Sequence, residues 1–316
     1  MVKIVTITIN PAVDIYTDVE KVVPVRKLRC STARREAGGG GINVARVLKR
    51  LDADVQALFP AGGSIGDLLE RLIKAEKLAC VRIPSAGETR ESLTAEERGS
   101  GEQYRFVFEG TLLEPAAVRA CFKAVENLCE EASVLVASGS LRPGVPEDFY
   151  AQLAALAHDR GIHFILDTSG AALRGALGPG LGLIKPNLRE LSDLVGAPLP
   201  GKAEQLRACE QLIADGNAAM VALTLGEEGA LLVTGQGAWE ARAPQVDVLS
   251  PVGAGDSFTA GMAFGLHSGW PTDQAFRLGI AAGTAAVMTA GTALCRREDV
   301  WALFDRIEKD GLIRRL

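Results

Sequence analysis

The stretch Ser250-Pro251-Val252-Gly253-Ala254-Gly255-Asp256-Ser257-Phe258 concentrates residue types that suit anion chemistry. Gly253 and Gly255 carry no Cβ, so their backbone N–H groups can approach a ligand closely. A β-like run, Val246 to Leu249, leads into the stretch, and an unbroken helix-like run, Ser257 to His267, leads out of it. A helix N-terminus there adds unpaired donors and a partial positive charge, which together make an anion site. Asp256 then sets a carboxylate among groups that favour phosphate. A carboxylate repels phosphate, so it serves binding poorly, but it serves well to meet a hydroxyl that attacks the phosphate. An N-cap aspartate after a Gly-rich turn is the plainer alternative, and these residues alone favour neither.

A second cluster, Gly38-Gly39-Gly40-Gly41-Ile42-Asn43, sits just before another helix-like run. Four successive glycines are costly in chain entropy, so close backbone approach to a ligand is a good reason for them. A hinge is compatible with that role. The cluster is neither GxxxxGK followed by Ser or Thr nor GxGxxG, which removes the Walker-type phosphate loop and the dinucleotide fingerprint. Asn43, in the first turn of the helix, can bond a sugar hydroxyl or cap the backbone.

The elements that must position these residues alternate. Val2–Ile9, Val55–Phe59, Ser133–Ala137, His163–Asp167 and Met220–Leu225 read as strands. Ile42–Leu51, Ile65–Ala75, Pro115–Glu130, Glu147–Arg160 and Ala203–Ala214 read as helices. Such βαβ alternation predicts an α/β fold with a mostly parallel sheet covered on both faces. Two segments break the pattern. Asp14 to Glu36 and Thr89 to Glu109 are extended and polar, with period-2 alternation that includes Lys27, Arg29 and Ser31 opposite Leu28 and Cys30. This predicts a small antiparallel sheet with one wet face. It would form a lid over the carboxyl ends of the parallel strands, where open α/β sheets bind ligands.

Composition narrows the classes. At 316 residues with 47% hydrophobic and 23% charged residues, the chain reads as globular. A formal net charge of −5 argues against a nucleic-acid surface. Asn10-Pro11 cuts the apolar start too short for a signal peptide, and Leu278–Ala290 is too short to span a bilayer. The six cysteines are dispersed, as expected of reduced thiols in a cytoplasmic protein.

Gly38-Gly39-Gly40-Gly41-Ile42-Asn43-Val44-Ala45 and Val252-Gly253-Ala254-Gly255-Asp256-Ser257 resemble the two signatures of the ribokinase-like carbohydrate kinases. Lys185-Pro186-Asn187-Leu188-Arg189-Glu190 resembles that family's Asn-x-x-Glu motif, and Thr224-Leu225-Gly226-Glu227-Glu228-Gly229 its nucleotide-side hairpin. The resemblance runs through the whole chain, 1–316, as one ribokinase-like α/β domain with lid segments near 12–36 and 88–110. It falls in the phosphofructokinase B branch. There the glycine at Gly40, where sister enzymes usually have Lys, and Ser100-Gly101-Glu102-Gln103-Tyr104-Arg105-Phe106 resemble the minor 6-phosphofructokinases of bacteria. The resemblance implies phosphoryl transfer from ATP to the C1 hydroxyl of fructose 6-phosphate. The alternatives are a 1-phosphofructokinase, a tagatose-6-phosphate kinase, or a catalytically silent sugar-phosphate sensor.

The resemblance further implies that Asp256 is the base, ionised by the helix N-terminus, that the donors of Ala254, Gly255 and Asp256 form an anion hole, and that Gly253 belongs to the same catalytic turn. Asp14, Gly39, Gly40, Asn43 and Ser138 would hold the sugar, Arg90 and Arg105 its phosphate, with Lys27 adding charge. Lys185, Asn187, Thr224, Gly226, Gly229, Ile280, Gly283 and Thr284 would bind ATP, and Asn187 and Glu190 would organise Mg2+. Ser250, Val252 and Gly291 resemble a monovalent-cation (K+) loop, from which Thr289 and Ala293 depart. A homodimer through the lid is expected, because exposed strand edges need cover.

Overall fold

A computed structural model describes residues 3–316. The chain opens with β1 (Lys3–Ile7), β2 (Ala12–Val19), β3 (Arg34–Gly38), α1 (Gly40–Arg50), β4 (Val55–Ala61), α2 (Gly63–Ala75) and β5 (Ala79–Pro84). β6 (Arg90–Glu97), β7 (Gln103–Val107), α3 (Pro115–Leu128), β8 (Ala132–Ser138), α4 (Phe149–Asp159), β9 (His163–Asp167), α5 (Gly170–Ala176) and β10 (Leu183–Ile184) follow. The remainder is α6 (Leu188–Val195), α7 (Lys202–Ala214), β11 (Met220–Thr224), β12 (Ala230–Thr234), β13 (Gly237–Ala241), α8 (Ala254–His267), α9 (Thr272–Val287), α10 (Arg297–Lys309) and β14 (Ile313–Arg315).

Ten strands form one sheet in the order β14-β13-β12-β11-β10-β9-β8-β1-β4-β5. It is parallel from β5 to β11 and antiparallel beyond. Both faces are apolar, because successive strand residues serve opposite cores. Val134 and Val136 face a core that includes residues of α1, α2, α8, α9 and α10, while Leu135 and Ala137 face one built with α3, α4 and α7. This two-sided burial is what hides the period-2 signal and leaves short continuous apolar runs. The carboxyl ends of β1, β8, β9 and β11 therefore converge on one edge, with β10 leading straight into Lys185.

α8 and α9 pack with unusually little between them. A Cβ on Gly261 would lie 2.5 Å from the Leu278 carbonyl oxygen, and one on Gly265 the same distance from Ala275 Cα. The small residues let two backbones meet, and α8 is the helix that carries Asp256.

A second, four-stranded sheet has the order β3-β2-β6-β7. It departs from the antiparallel expectation, since the central β2–β6 pair is parallel over eight residues, Ala12 against Arg90 to Val19 against Glu97. Both strands leave the large sheet in the same direction. The alternation at residues 27–31 is not a strand: residues 20–33 form a loop, tied back by a Val19–Cys30 bridge, by Ser31, whose N–H donates to the Asp18 carbonyl and whose hydroxyl donates to Asp18 Oδ2, and by the Val22 N–H, which donates to Glu97. Val246–Leu249 is not a strand either. Val248 and Leu249 are exposed, and Leu249 N–H donates to the Val287 carbonyl at the end of α9 rather than to a strand. The helix expected from Ser257 begins at Ala254, which puts Asp256 inside its first turn. The expected strand Val2–Ile9 appears as β1, with Val2 outside the described residues. No helix among the described residues is long and apolar enough to cross a membrane.

Candidate active site

Gly253, with φ 79°, is the N-cap of α8, a left-handed turn that side chains disfavour. It swings the chain so that the first turn of α8 faces the open edge of the large sheet. The Ala254 N–H leans toward the Pro251 carbonyl at 3.5 Å, whereas the N–H groups of Gly255 and Asp256 have no acceptor among the described residues. Asp256 is half-buried, and its Oδ2 accepts from Asn43 Nδ2 at 2.9 Å. Burial pushes its pKa up to about 7, and the neighbouring Asp167 carboxylate pushes the same way. Donation from Asn43 and the Lys185 charge pull it back, and Asp14 adds a small rise. The expectation that the helix N-terminus keeps Asp256 firmly ionised is thus corrected: desolvation outweighs the helix end.

Lys185 is 7% exposed, and its Nζ pairs with Asp167 Oδ1 at 3.1 Å. Burial favours the neutral amine, but Asp167, Glu190 and Asp256 more than compensate, so its pKa is raised and it stays an ammonium. A Cβ on Gly255 would lie 3.3 Å from this Nζ, so the charge sits directly under the first turn of α8. Thr259 steadies the pair by donating to Asp167 Oδ2 at 3.2 Å.

The glycine cluster lies opposite. A Cβ on Gly38 would collide with the Asp14 carboxylate, and one on Gly40 with Ser138 Oγ. These absences bring β2, β8 and the N-terminus of α1 onto one small space, with Gly39 at φ 108° turning the chain into the helix. Burial pushes Asp14 up to about 6, against the opposing charges of Arg90, Arg105 and Arg46. Arg90 spends its donors on backbone: Nε and Nη2 reach the Asn10 carbonyl at 3.3 and 3.0 Å, and Nη1 reaches that of Phe108 at 3.1 Å. Arg105 is exposed on β7. Lys27 is exposed on the loop between β2 and β3 and joins none of these groups.

On the other side, Asn187 and Glu190 form a reciprocal capping box at α6. Asn187 Oδ1 accepts from Glu190 N–H, and Glu190 Oε2 accepts from Asn187 N–H, both at 2.9 Å. One Glu190 oxygen remains free of the cap. A cleft of about 420 Å³ opens between this cap and the β11–β12 hairpin, lined by Asn187, Thr224, Leu225, Gly226 and Glu228. Gly226 (φ 63°) and Gly229 (φ 109°) shape the hairpin turn. Ile280, Gly283 and Thr284 lie on α9 outside that lining. Gly283 backs the first turn of α8, where a Cβ would sit 3.2 Å from the Ala254 carbonyl oxygen.

Two residues escaped the sequence reading. Asp167 ends β9 beside Ser138 at the end of β8, so its place at a strand's carboxyl end was the available signal. Arg46, one turn after Asn43, is 4% exposed and reaches the same network.

Residues 2–299 match the profile of the pfkB family carbohydrate kinases. The chain belongs to that family. Among pfkB relatives it is 42% identical over 303 residues to ATP-dependent 6-phosphofructokinase isozyme 2 of Mycobacterium tuberculosis, covering 96% of this chain and 89% of that protein. It superposes on the crystal structure of phosphofructokinase-2 from Escherichia coli in complex with fructose-6-phosphate with a TM-score of 0.90, at 36% identity, covering 98% of this chain and 100% of the other. The potassium complex of the same E. coli protein gives 0.93 at 37% identity with the same coverage. The ribokinase-like α/β fold with a small separate sheet is thereby established for this pfkB chain.

Proposed function

We propose that this chain is an ATP-dependent 6-phosphofructokinase, transferring the γ-phosphoryl group of ATP to the C1 hydroxyl of fructose 6-phosphate to give fructose 1,6-bisphosphate and ADP. The observation that carries the reading is Asp256, raised to about 7, beside free N–H donors at the start of α8. A base with a pKa near the working pH is half ready to accept a proton and still able to release it. Asp256 takes the proton of the attacking hydroxyl, while the N–H groups of Gly255 and Asp256 and the buried Lys185 ammonium receive the charge of the phosphoryl group. Phosphoryl transfer asks a protein mainly for such positioning and charge stabilisation.

Asp14 and Asn43 accept and donate to sugar hydroxyls, and the small sheet acts as a lid, with residues 12–36 and 88–110 as segments of one catalytic domain. Arg105, whose side chain has no hydrogen-bond or ion-pair partner among the described residues, clamps the existing phosphate, and Arg90 shapes the lid root and adds charge. The Thr224–Gly229 hairpin holds the nucleotide. Asn187 and Glu190 suit Mg2+ held largely through water, since hard oxygen donors are present and one Glu190 oxygen is uncommitted. When bound, Mg2+ neutralises phosphate charge. The loop around Gly291 suits a monovalent cation such as K+: the buried Thr292 hydroxyl has no partner among the described residues. Thr289 and the Ala293 carbonyl, in contrast, are committed to Ala286, Leu294 and Arg50. Exposed Phe106, Val107 and Phe108 support a homodimer through the lid. Free, dispersed cysteines suit the cytoplasm.

The test is a coupled ADP-release assay over a panel of sugar phosphates. kcat/KM for fructose 6-phosphate is expected at least ~10-fold above fructose 1-phosphate. Tagatose 6-phosphate, which differs in one hydroxyl's configuration, is expected to be accepted appreciably. A preference for fructose 1-phosphate would turn the sugar round in the site.

A further inference from the structure

Arg46 occupies a place that neither binding nor folding alone explains. It is buried on α1 at 4% exposure and meets four groups, one just past α2, two on β3 and one on α1 itself. Nε donates to Glu76 Oε1 at the end of α2 (2.7 Å), and Nη2 to Glu36 Oε2 on β3 (3.3 Å). Nη1 donates to the Ala37 carbonyl at 2.9 Å and reaches Asn43 Oδ1 at 3.5 Å. The amide of Asn43 has one acceptor end and one donor end. With Oδ1 toward Arg46, its Nδ2 is left facing Asp256, where it donates at 2.9 Å. Ala37 immediately precedes Gly38, whose missing side chain makes room for the Asp14 carboxylate.

We propose that Arg46 is a positioning residue for the transfer reaction, holding Asn43 in the orientation that serves Asp256 and fixing the root of β3 beside Asp14. At 4% exposure its guanidinium is enclosed by protein groups and acts through Asn43 and β3. Its guanidinium joins the lid strand to the base through a single rigid fork, a geometry that the ammonium of lysine does not reproduce. The proposal rests on the reading of Asp256 as the base. The charged groups that face Asp256 are Asp167 from β9, Lys185 from the β10 exit and Asp14 from β2, with Asn43 from α1. Those that face Arg46 are Glu36, Glu76 and, more distantly, Asp14.

The experiment is a double-substitution cycle with Arg46→Lys and Asn43→Ala, assayed on the sugar phosphate that the wild-type enzyme turns over best. Arg46→Lys is expected to lower kcat roughly 10-fold with the KM for ATP unchanged. Loss of the Asn43 donation destabilises the carboxylate, so the acid limb of the kcat–pH profile is expected to move to higher pH. In the Asn43→Ala background, Arg46→Lys is expected to add little. Additive losses, or an unmoved acid limb, would overturn the proposal. Should Arg46→Lys not fold, Glu76→Ala removes the acceptor that fixes the Nε edge and is held to the same outcomes. Asp256→Asn measured alongside separates the two ideas: a limb that survives Asp256→Asn sinks the assignment of the base, whereas additivity with the limb abolished sinks only Arg46.

Discussion

The transfer centre and the lid are built to opposite standards. Around Asp256 the chain is over-determined: glycines meet backbone, Lys185 and Asp167 are paired in near-complete burial, and two helices cross with no side chain to spare between them. The lid is thin, with β7 largely exposed and the Arg105 side chain held by no hydrogen bond or ion pair among the described residues. The centre must hold atoms within a fraction of an ångström, because near-attack geometry contributes several kcal/mol to the rate. Under the proposed function the lid needs only to present charge to a phosphate. The proposed function thus gives the chemistry to the stiff part and the substrate choice to the part that is cheap to alter.

The sharpest way to break this division is Asp256→Asn. It keeps size and most hydrogen bonding but removes the proton acceptor, so kcat is expected to fall roughly 10²–10⁴-fold with substrate binding largely kept. A variant retaining more than half of wild-type turnover would remove Asp256 from the mechanism. On the lid side, Arg105→Ala is expected to lower kcat/KM on 6-phosphates roughly 10–100-fold, the loss of one charge-assisted contact. Nucleotide affinity, read by fluorescence titration, should stay unchanged. A drop in nucleotide affinity as well would mean that the lid and the centre are not separable.

Some of this contrast was legible before any coordinates. Alternating strands and helices, the two glycine clusters and the Asn187–Glu190 spacing all depend on local pattern, and the structure brings the glycine clusters together on one edge. What was not legible depends on partners far along the chain. The parallel pairing of β2 with β6 joins segments almost eighty residues apart, and nothing in their alternation encodes direction. Val246–Leu249 has strand-like residues but finds no strand to pair with. The raised pKa of Asp256 comes from burial and from Asp167, both consequences of tertiary packing rather than of its helix position. Arg46 on a helix looks like any solvated cation until Glu36 and Glu76 are seen to enclose it.

Two smaller effects sharpen the comparison. Glu190→Gln keeps an acceptor for the Asn187 N–H, so the cap and the fold are spared. The Mg2+ concentration for half-maximal activity should rise roughly 10-fold, the size seen when a metal's outer partners are altered. An unchanged Mg2+ dependence would leave Glu190 as a helix cap alone. The smallest effect is on stability. Burial holds the pKa of Asp256 up at about 7 in the fold, well above the ordinary carboxylate value of 3.8. The native state therefore holds the extra proton between those values, and stability declines as pH rises through that window. Asp256→Asn should accordingly raise Tm at pH 8 by on the order of 2 °C, while the wild-type protein gains as the pH is lowered toward 5. A Tm lowered by the substitution would mean that the carboxylate stabilises the fold it serves.

The glycine-lined crossing of α8 and α9 makes the base helix a short lever with a fixed fulcrum. Gly261 lies five residues from Asp256, about 7.5 Å along the axis. Bulk added at Gly261 would push against the Leu278 carbonyl and tilt the far end of the helix. A displacement of about 1 Å at a reacting group is enough to cost roughly 10²-fold in rate. Lesions deep in the interior, on the side away from both substrates, would then read in an assay as faults of aim, with turnover lost while affinity for sugar and nucleotide persists.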